Sequence, residues 1–141
     1  MSERVERFVT LYNQLNRENL ATLAQIYSDS IEFRDPLHRI VGLNALHEYF
    51  SAMYENTQSV QFTLNDSTDA GDKAFIYWQM RFSHKRLRRG QPIVVEGHSQ
   101  LYFAGDKVCY HRDYFDVGSM LYEHLPLLGC VVRKLKARVA Q

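Results

Sequence analysis

The sequence predicts a single α+β domain in which helices pack on a largely antiparallel sheet. Apolar residues recur at helical spacing through the first third of the chain, and from Val60 the period changes to alternation. From Gly118 a helical pattern returns. No repeat, low-complexity stretch or linker interrupts the 141 residues, a length that fits one domain with a core of its own.

Val5, Phe8, Val9, Tyr12 and Leu15 share one helical face and predict a first amphipathic helix. Asn16 or Asn19 is suited to cap a second helix carrying Leu20, Leu23, Ala24 and Tyr27. Ile31 and Phe33 then alternate in a short strand that Pro36 stops, because proline cannot donate to a ladder. After Gly42, Leu43, Leu46, Phe50 and Met53 form the stripe of a third helix. Val60, Phe62 and Leu64 mark one strand, and residues 74–84, 92–103 and 107–117 mark three more joined by hairpins. The tail from Gly118 is helical, with a break or kink near Pro126 and Gly129.

The hairpin turns predict which side chains share a face. Gly105-Asp106 as a two-residue turn sets Ala104 opposite Lys107 and His98 opposite Asp113. Arg89-Gly90 as the preceding turn sets Arg81 opposite His98, giving a polar row across three strands. That face also carries Tyr77, Gln79, Gln100, His111 and Phe115. The other carries Ile76, Trp78, Met80, Phe82, Val95, Leu101, Phe103 and Tyr110. A three-residue loop at Ala104–Asp106 competes, and a slip of one residue exchanges the faces. On pattern alone, the polar row is either a pocket wall or a solvated surface with weak ion pairs.

Composition excludes several function classes. The net charge of +1 gives no global field for nucleic acid. No signal segment or membrane-spanning run is visible, and Cys109 and Cys130 lack metal or redox spacing, so a cytoplasmic protein with two free thiols is expected. The six histidines are scattered and predict no metal site, and nothing predicts a cofactor. Nine tyrosines and eight phenylalanines are enough to fill a core, line an apolar pocket or build an interface. Lys85, Arg86, Arg88 and Arg89 make a basic hairpin tip, by default a solvated turn, with an anionic ligand or nucleic-acid contact as the lesser reading.

The order of elements, with IYSDSIEFRDPLHRIVG near the front and YHRDYFD near the end, resembles the nuclear transport factor 2-like superfamily. SnoaL-like polyketide cyclases and ketosteroid isomerases look nearest. The resemblance covers residues 1–118 and leaves 119–141 as a C-terminal amphipathic helical extension of the same domain. It implies a cone-shaped α+β barrel, its curved sheet and helices enclosing a pocket, and it favours the polar row facing inward. Tyr27, Asp29, Asp35 and Pro36 match the isomerase stretch that ends in the general base, which falls on Asp35. A structural role in an Asp-Pro turn is the alternative for that residue. The isomerase oxyanion hole does not carry over: Leu11 stands at the tyrosine donor, with Tyr12 turned aside, and His98 or Ser99 stands at the acid donor.

The cyclases resemble this chain in a histidine and an acid on neighbouring strands, here His98 and Asp113. Asp35, Arg81 and Asp113 are similar to the Asp–Arg–Asp set of an epoxide hydrolase. The resemblance therefore implies a cofactor-free isomerase or cyclase moving protons on a small hydrophobic or polycyclic carbonyl compound. Asp35, His98 and Asp113 would be catalytic, and Phe33, Tyr77, Gln79, Arg81, Gln100, His111 and Phe115 would line the pocket. A non-catalytic binding or interaction module and an epoxide-hydrolase-like enzyme are the alternatives. With the polar row inward, Trp78, Met80 and Phe82 form an outer apolar patch that predicts a homodimer. Leu125, Leu128, Val132, Leu135 and Val139 interleave with Arg133, Lys134, Lys136 and Arg138, a pattern for packing on the domain or a subunit, and less favourably for a membrane surface.

Overall fold

The computed structural model describes residues 2–120 and 126–140. Helix α1, Glu3–Gln14, is capped by the Ser2 hydroxyl, which accepts from the Val5 amide, and places Glu3 and Glu6 at its positive end. Its buried face is Val5, Phe8 and Leu11. The expected second helix is instead a short 3-10 helix, Leu20–Gln25, buried through Leu20 and Leu23. Tyr27 begins the first strand, β1, Tyr27–Arg34, rather than ending a helix. A short strand not anticipated from sequence, β2, Arg39–Val41, follows the Asp-Pro turn. Helix α2, Leu43–Asn56, buries Leu46, Phe50 and Tyr54.

Four strands follow: β3, Thr57–Ala70; β4, Lys73–His84; β5, Ile93–Ala104; and β6, Lys107–Phe115. A short helix α3, Val117–Met120, and a longer α4, Pro126–Val139, complete the described chain. Gly129 does not break α4. Val131, Leu135 and Val139 are exposed along this helix. No helix among the described residues is long and apolar enough to cross a membrane.

The strands form one curved six-stranded sheet in the order β2-β1-β6-β5-β4-β3, and the sheet does not close on itself. Only β1 and β6 run parallel. Arginines on α1 fasten it across the hairpins: Arg4 donates to the Gly71 and Gly105 carbonyls, and Arg7 donates to the Asp106 carbonyl at 2.7 Å. The main core lies between these helices and the concave face, and Phe82, Leu87, Ile93 and Val95 form a second cluster at the far end.

The register overturns the predicted polar row. Ala104 does oppose Lys107 around Gly105, whose φ is +65°. One pair later the register shifts: Phe103 opposes Val108, but Tyr102 opposes Tyr110, leaving Cys109 as an extra residue. This bulge exchanges the faces of β6 relative to β5, so Asp113 opposes Ser99 rather than His98. The β4–β5 connection is also longer than predicted. It buries its own Leu87, so the last pair is Phe82 with Ile93, and His98 opposes Tyr77 instead of Arg81.

Tyr77, Gln79, Arg81, His98 and Gln100 do share a face, but it is the convex outer one. Tyr110, expected with the tryptophan face, lies outside as well, paired with Tyr102. Ile76, Trp78, Phe82, Val95, Leu101 and Phe103 are all buried inward, because a mostly apolar face gains more from burial than a charged one. Trp78, Met80 and Phe82 therefore form no outer patch, which removes the basis on which a dimer was expected.

Candidate functional site

The concave face and the helices enclose a cavity of about 490 Å³. Its wall is mainly apolar, with Phe33, Phe50, Phe62, Trp78, Met80 and Phe115 prominent. This size lies within the range of small-molecule sites. A smaller cavity of about 40 Å³ lies under α1, and Tyr12, Phe62, Trp78 and Asp113 border both.

The parallel pairing of β1 and β6 brings the acids together. Phe33 pairs with His111 and Arg34 with Arg112, so one residue further along both chains come Asp35 and Asp113. Both border the large cavity. Their surroundings differ. Asp35 Oδ1 accepts from the Leu37 amide at 2.8 Å and the His38 amide at 2.7 Å, with His38 Nδ1 at 3.0 Å. Its Oδ2 accepts from the Tyr49 hydroxyl at 2.8 Å. The aspartate thus shapes the Asp-Pro turn as well as bordering the cavity, and its oxygens already have donors.

Asp113 stands at the end of a hydrogen-bond chain. Its Oδ1 accepts from Ser99 Oγ at 2.5 Å and contacts His111 Nε2 at 2.6 Å. Trp78 Nε1 donates to Ser99 Oγ at 2.8 Å. On the other side, His111 Nδ1 lies 2.6 Å from the Tyr27 hydroxyl, which lies 2.7 Å from the Tyr12 hydroxyl. One donor order gives every hydrogen an acceptor: Tyr12 to Tyr27, Tyr27 to His111 Nδ1, and His111 Nε2–H to Asp113. The imidazole is then neutral. Burial, first of all, holds both phenols well above the ordinary tyrosine pKa, so they stay protonated donors. His111 is 1% exposed, under the edge of the Phe33 ring at 4.8 Å. Asp113 Oδ2 has no hydrogen-bond partner among the described residues.

Asp35, Asp113, Phe33 and Phe115 border the large cavity, and His111 the small one. His98 does not enter: its ring stacks on Tyr114 at 4.8 Å and meets Tyr77 at 5.3 Å on the convex face. Tyr77, Gln79, Arg81 and Gln100 lie there too, so Arg81 cannot complete an Asp–Arg–Asp set with the two cavity acids. Asp113 has His111, from its own strand, in place of His98. The site expected from sequence did not include Tyr12, Ser99, Trp78 or Tyr49. Tyr12 does turn into the cavity, and Ser99 had a signal: it is a lone hydroxyl among Val95, Gly97, Leu101 and Phe103 at alternate positions.

The family model for the SnoaL-like domain matches residues 5–111. Among solved structures, a hypothetical protein with a ketosteroid isomerase-like fold from Catenulispora acidiphila DSM 44928, in complex with trimethylamine, superposes with a TM-score of 0.77. It is 18% identical, over 89% of this chain and 95% of that one. A candidate SnoaL-like polyketide cyclase from Jannaschia sp. CCS1 superposes at 0.72, with 12% identity over 84% and 88% of the two chains. An NTF2-like protein of unknown function from Burkholderia pseudomallei K96243 superposes at 0.74, with 12% identity over 86% and 96%. No curated protein matches.

Proposed function

Because this chain belongs to the SnoaL-like domain family, we propose that it is a cofactor-free isomerase or cyclase that moves a proton on a small hydrophobic carbonyl compound, with Asp113 as the base. The observation that carries the proposal is a cavity carboxylate with one oxygen anchored and the other unpartnered among the described residues. Ser99 and His111 hold Oδ1, and so orient Oδ2 toward a carbon acid lying in the apolar cavity. Asp113 takes a proton from the carbon next to the carbonyl and returns it at another position. No net proton is consumed. His38 and Tyr49 border the same cavity and are held there by Asp35, which accepts from the Tyr49 hydroxyl. Asp35 is a positioning residue, because its oxygens accept from the Tyr49 hydroxyl and from the Leu37 and His38 amides and so hold Tyr49 and the turn in place.

The test is solvent deuterium incorporation, followed by proton NMR, into a panel of cyclic and aromatic ketones incubated with the protein. The wild type labels the carbon next to the carbonyl of at least one of them. Asp113→Asn slows labelling by a factor of about 10² or more while ligand binding persists. Wild-type binding without labelling, or full labelling by Asp113→Asn, overturns the proposal. The first of these results leaves a non-catalytic binder.

A further inference from the structure

The basic tip of the β4–β5 hairpin is not used by the proton-transfer site, yet it reaches the same cavity. His84, Arg86 and Leu87 border the large cavity at the end remote from Asp113. Along β4, His84 lies six residues beyond Trp78, up to about 20 Å of extended strand. Between His84 and Val95 the chain carries four cations, Lys85, Arg86, Arg88 and Arg89, and no acid. Arg86 forms no ion pair or side-chain hydrogen bond among the described residues.

The local geometry supplies a second donor. The Arg86 amide donates to His84 Nδ1 at 3.1 Å, which leaves the ring hydrogen on Nε2. The loop is held in an unusual shape: Arg88 and Arg89 have φ of 47° and 54°, in the left-handed region that residues other than glycine rarely adopt. Buried Leu87 anchors it against Phe82, Ile93 and Val95. The cavity is therefore polarised, with the Asp35 and Asp113 acids at one end, an apolar middle, and a guanidinium and an imidazole N–H at the other.

We propose that Arg86 and His84 form an anion subsite, and that the ligand is an apolar compound bearing one anionic head, a carboxylate or a phosphate monoester. This rests on the same cavity as the proposed function and names the class of its ligand. A guanidinium makes charge-assisted bonds to either head, and the apolar middle accepts the body.

The test is calorimetric titration of the full chain with dodecanoate, dodecyl phosphate and methyl dodecanoate, each kept below its micellar concentration. At least one anion binds about tenfold tighter than the uncharged ester, and the tighter of the two identifies the head. Arg86→Gln removes that advantage. Arg88→Gln, a change in the same loop outside the cavity wall, keeps it. Equal binding of all three probes, binding of none, retention of the advantage in Arg86→Gln, or equal loss in Arg88→Gln overturns the subsite. Asp113→Asn removes the base and leaves the anion preference intact, so failure of proton transfer and failure of the subsite give separate results.

Discussion

Replacing Ser99 with alanine tests whether the chain of hydrogen bonds ending on Asp113 is energetically real. Ser99 is 4% exposed and serves two partners. It accepts from the Trp78 indole at 2.8 Å and donates to Asp113 at 2.5 Å. Ser99→Ala leaves the 7%-exposed tryptophan with an unpaired N–H, a cost of about 1–3 kcal/mol. It also deletes a bond to a charged group, worth about 1.5–3 kcal/mol, of which the lower part applies because His111 still donates. The expected loss is about 2.5–4.5 kcal/mol in urea unfolding. Trp78 is the only tryptophan, so a change in native-state emission reports the indole directly. The double variant with Trp78→Phe, followed by circular dichroism, removes the orphaned N–H. It should therefore be more stable than the sum of the single effects by about 1 kcal/mol or more. A single variant within 0.5 kcal/mol of wild type, or strict additivity in the cycle, would refute the reasoning.

Three further outcomes follow from the same geometry. A Cβ on Gly97 would stand 2.5 Å from the Trp78 ring and 2.7 Å from the Tyr114 carbonyl, so Gly97→Ala should cost about 1–3 kcal/mol and shift the Trp78 emission; unchanged emission and stability would contradict the packing. His98→Ala removes a convex-face stack on Tyr114 and should change ligand binding and turnover less than about twofold, at a stability cost of about 0.5–1.5 kcal/mol; a large loss of turnover would return His98 to the site. In alkaline titration read at 295 nm, Tyr12, Tyr27 and Tyr49 should ionise only on unfolding. Burial raises their pKa values above the ordinary tyrosine value of 10.0, so the stability they contribute is present below pH 10 and is lost as the pH rises above it. Reversible ionisation of all nine tyrosines with the fold intact would exclude that burial.

Much of the architecture was legible because it is local. Helical spacing from Val5 to Leu15 and from Leu43 to Met53 located α1 and α2, and alternation located β3 to β6. The turn at Gly105-Asp106 was legible too, since glycine marks a positive φ. The 3-10 helix at Leu20–Gln25 was read as an α-helix because Leu20, Leu23 and Ala24 suit either, and six residues have too few positions to distinguish them.

The sequence by itself determined the types of α1, α2 and β3 to β6, the two composition-matched faces of β4 and β5, and the presence of acids at Asp35 and Asp113. Only the tertiary structure decided which of those residues meet. The bulge at Cys109 leaves no mark in the alternation of β6, yet it turns His111 and Asp113 inward and leaves His98 outside. Periodicity is set within one strand, whereas register is set between strands. The competition was settled by burying Trp78, Phe82 and Leu101 and leaving Arg81 in water, which lowers the free energy of the whole sheet although no single strand records it.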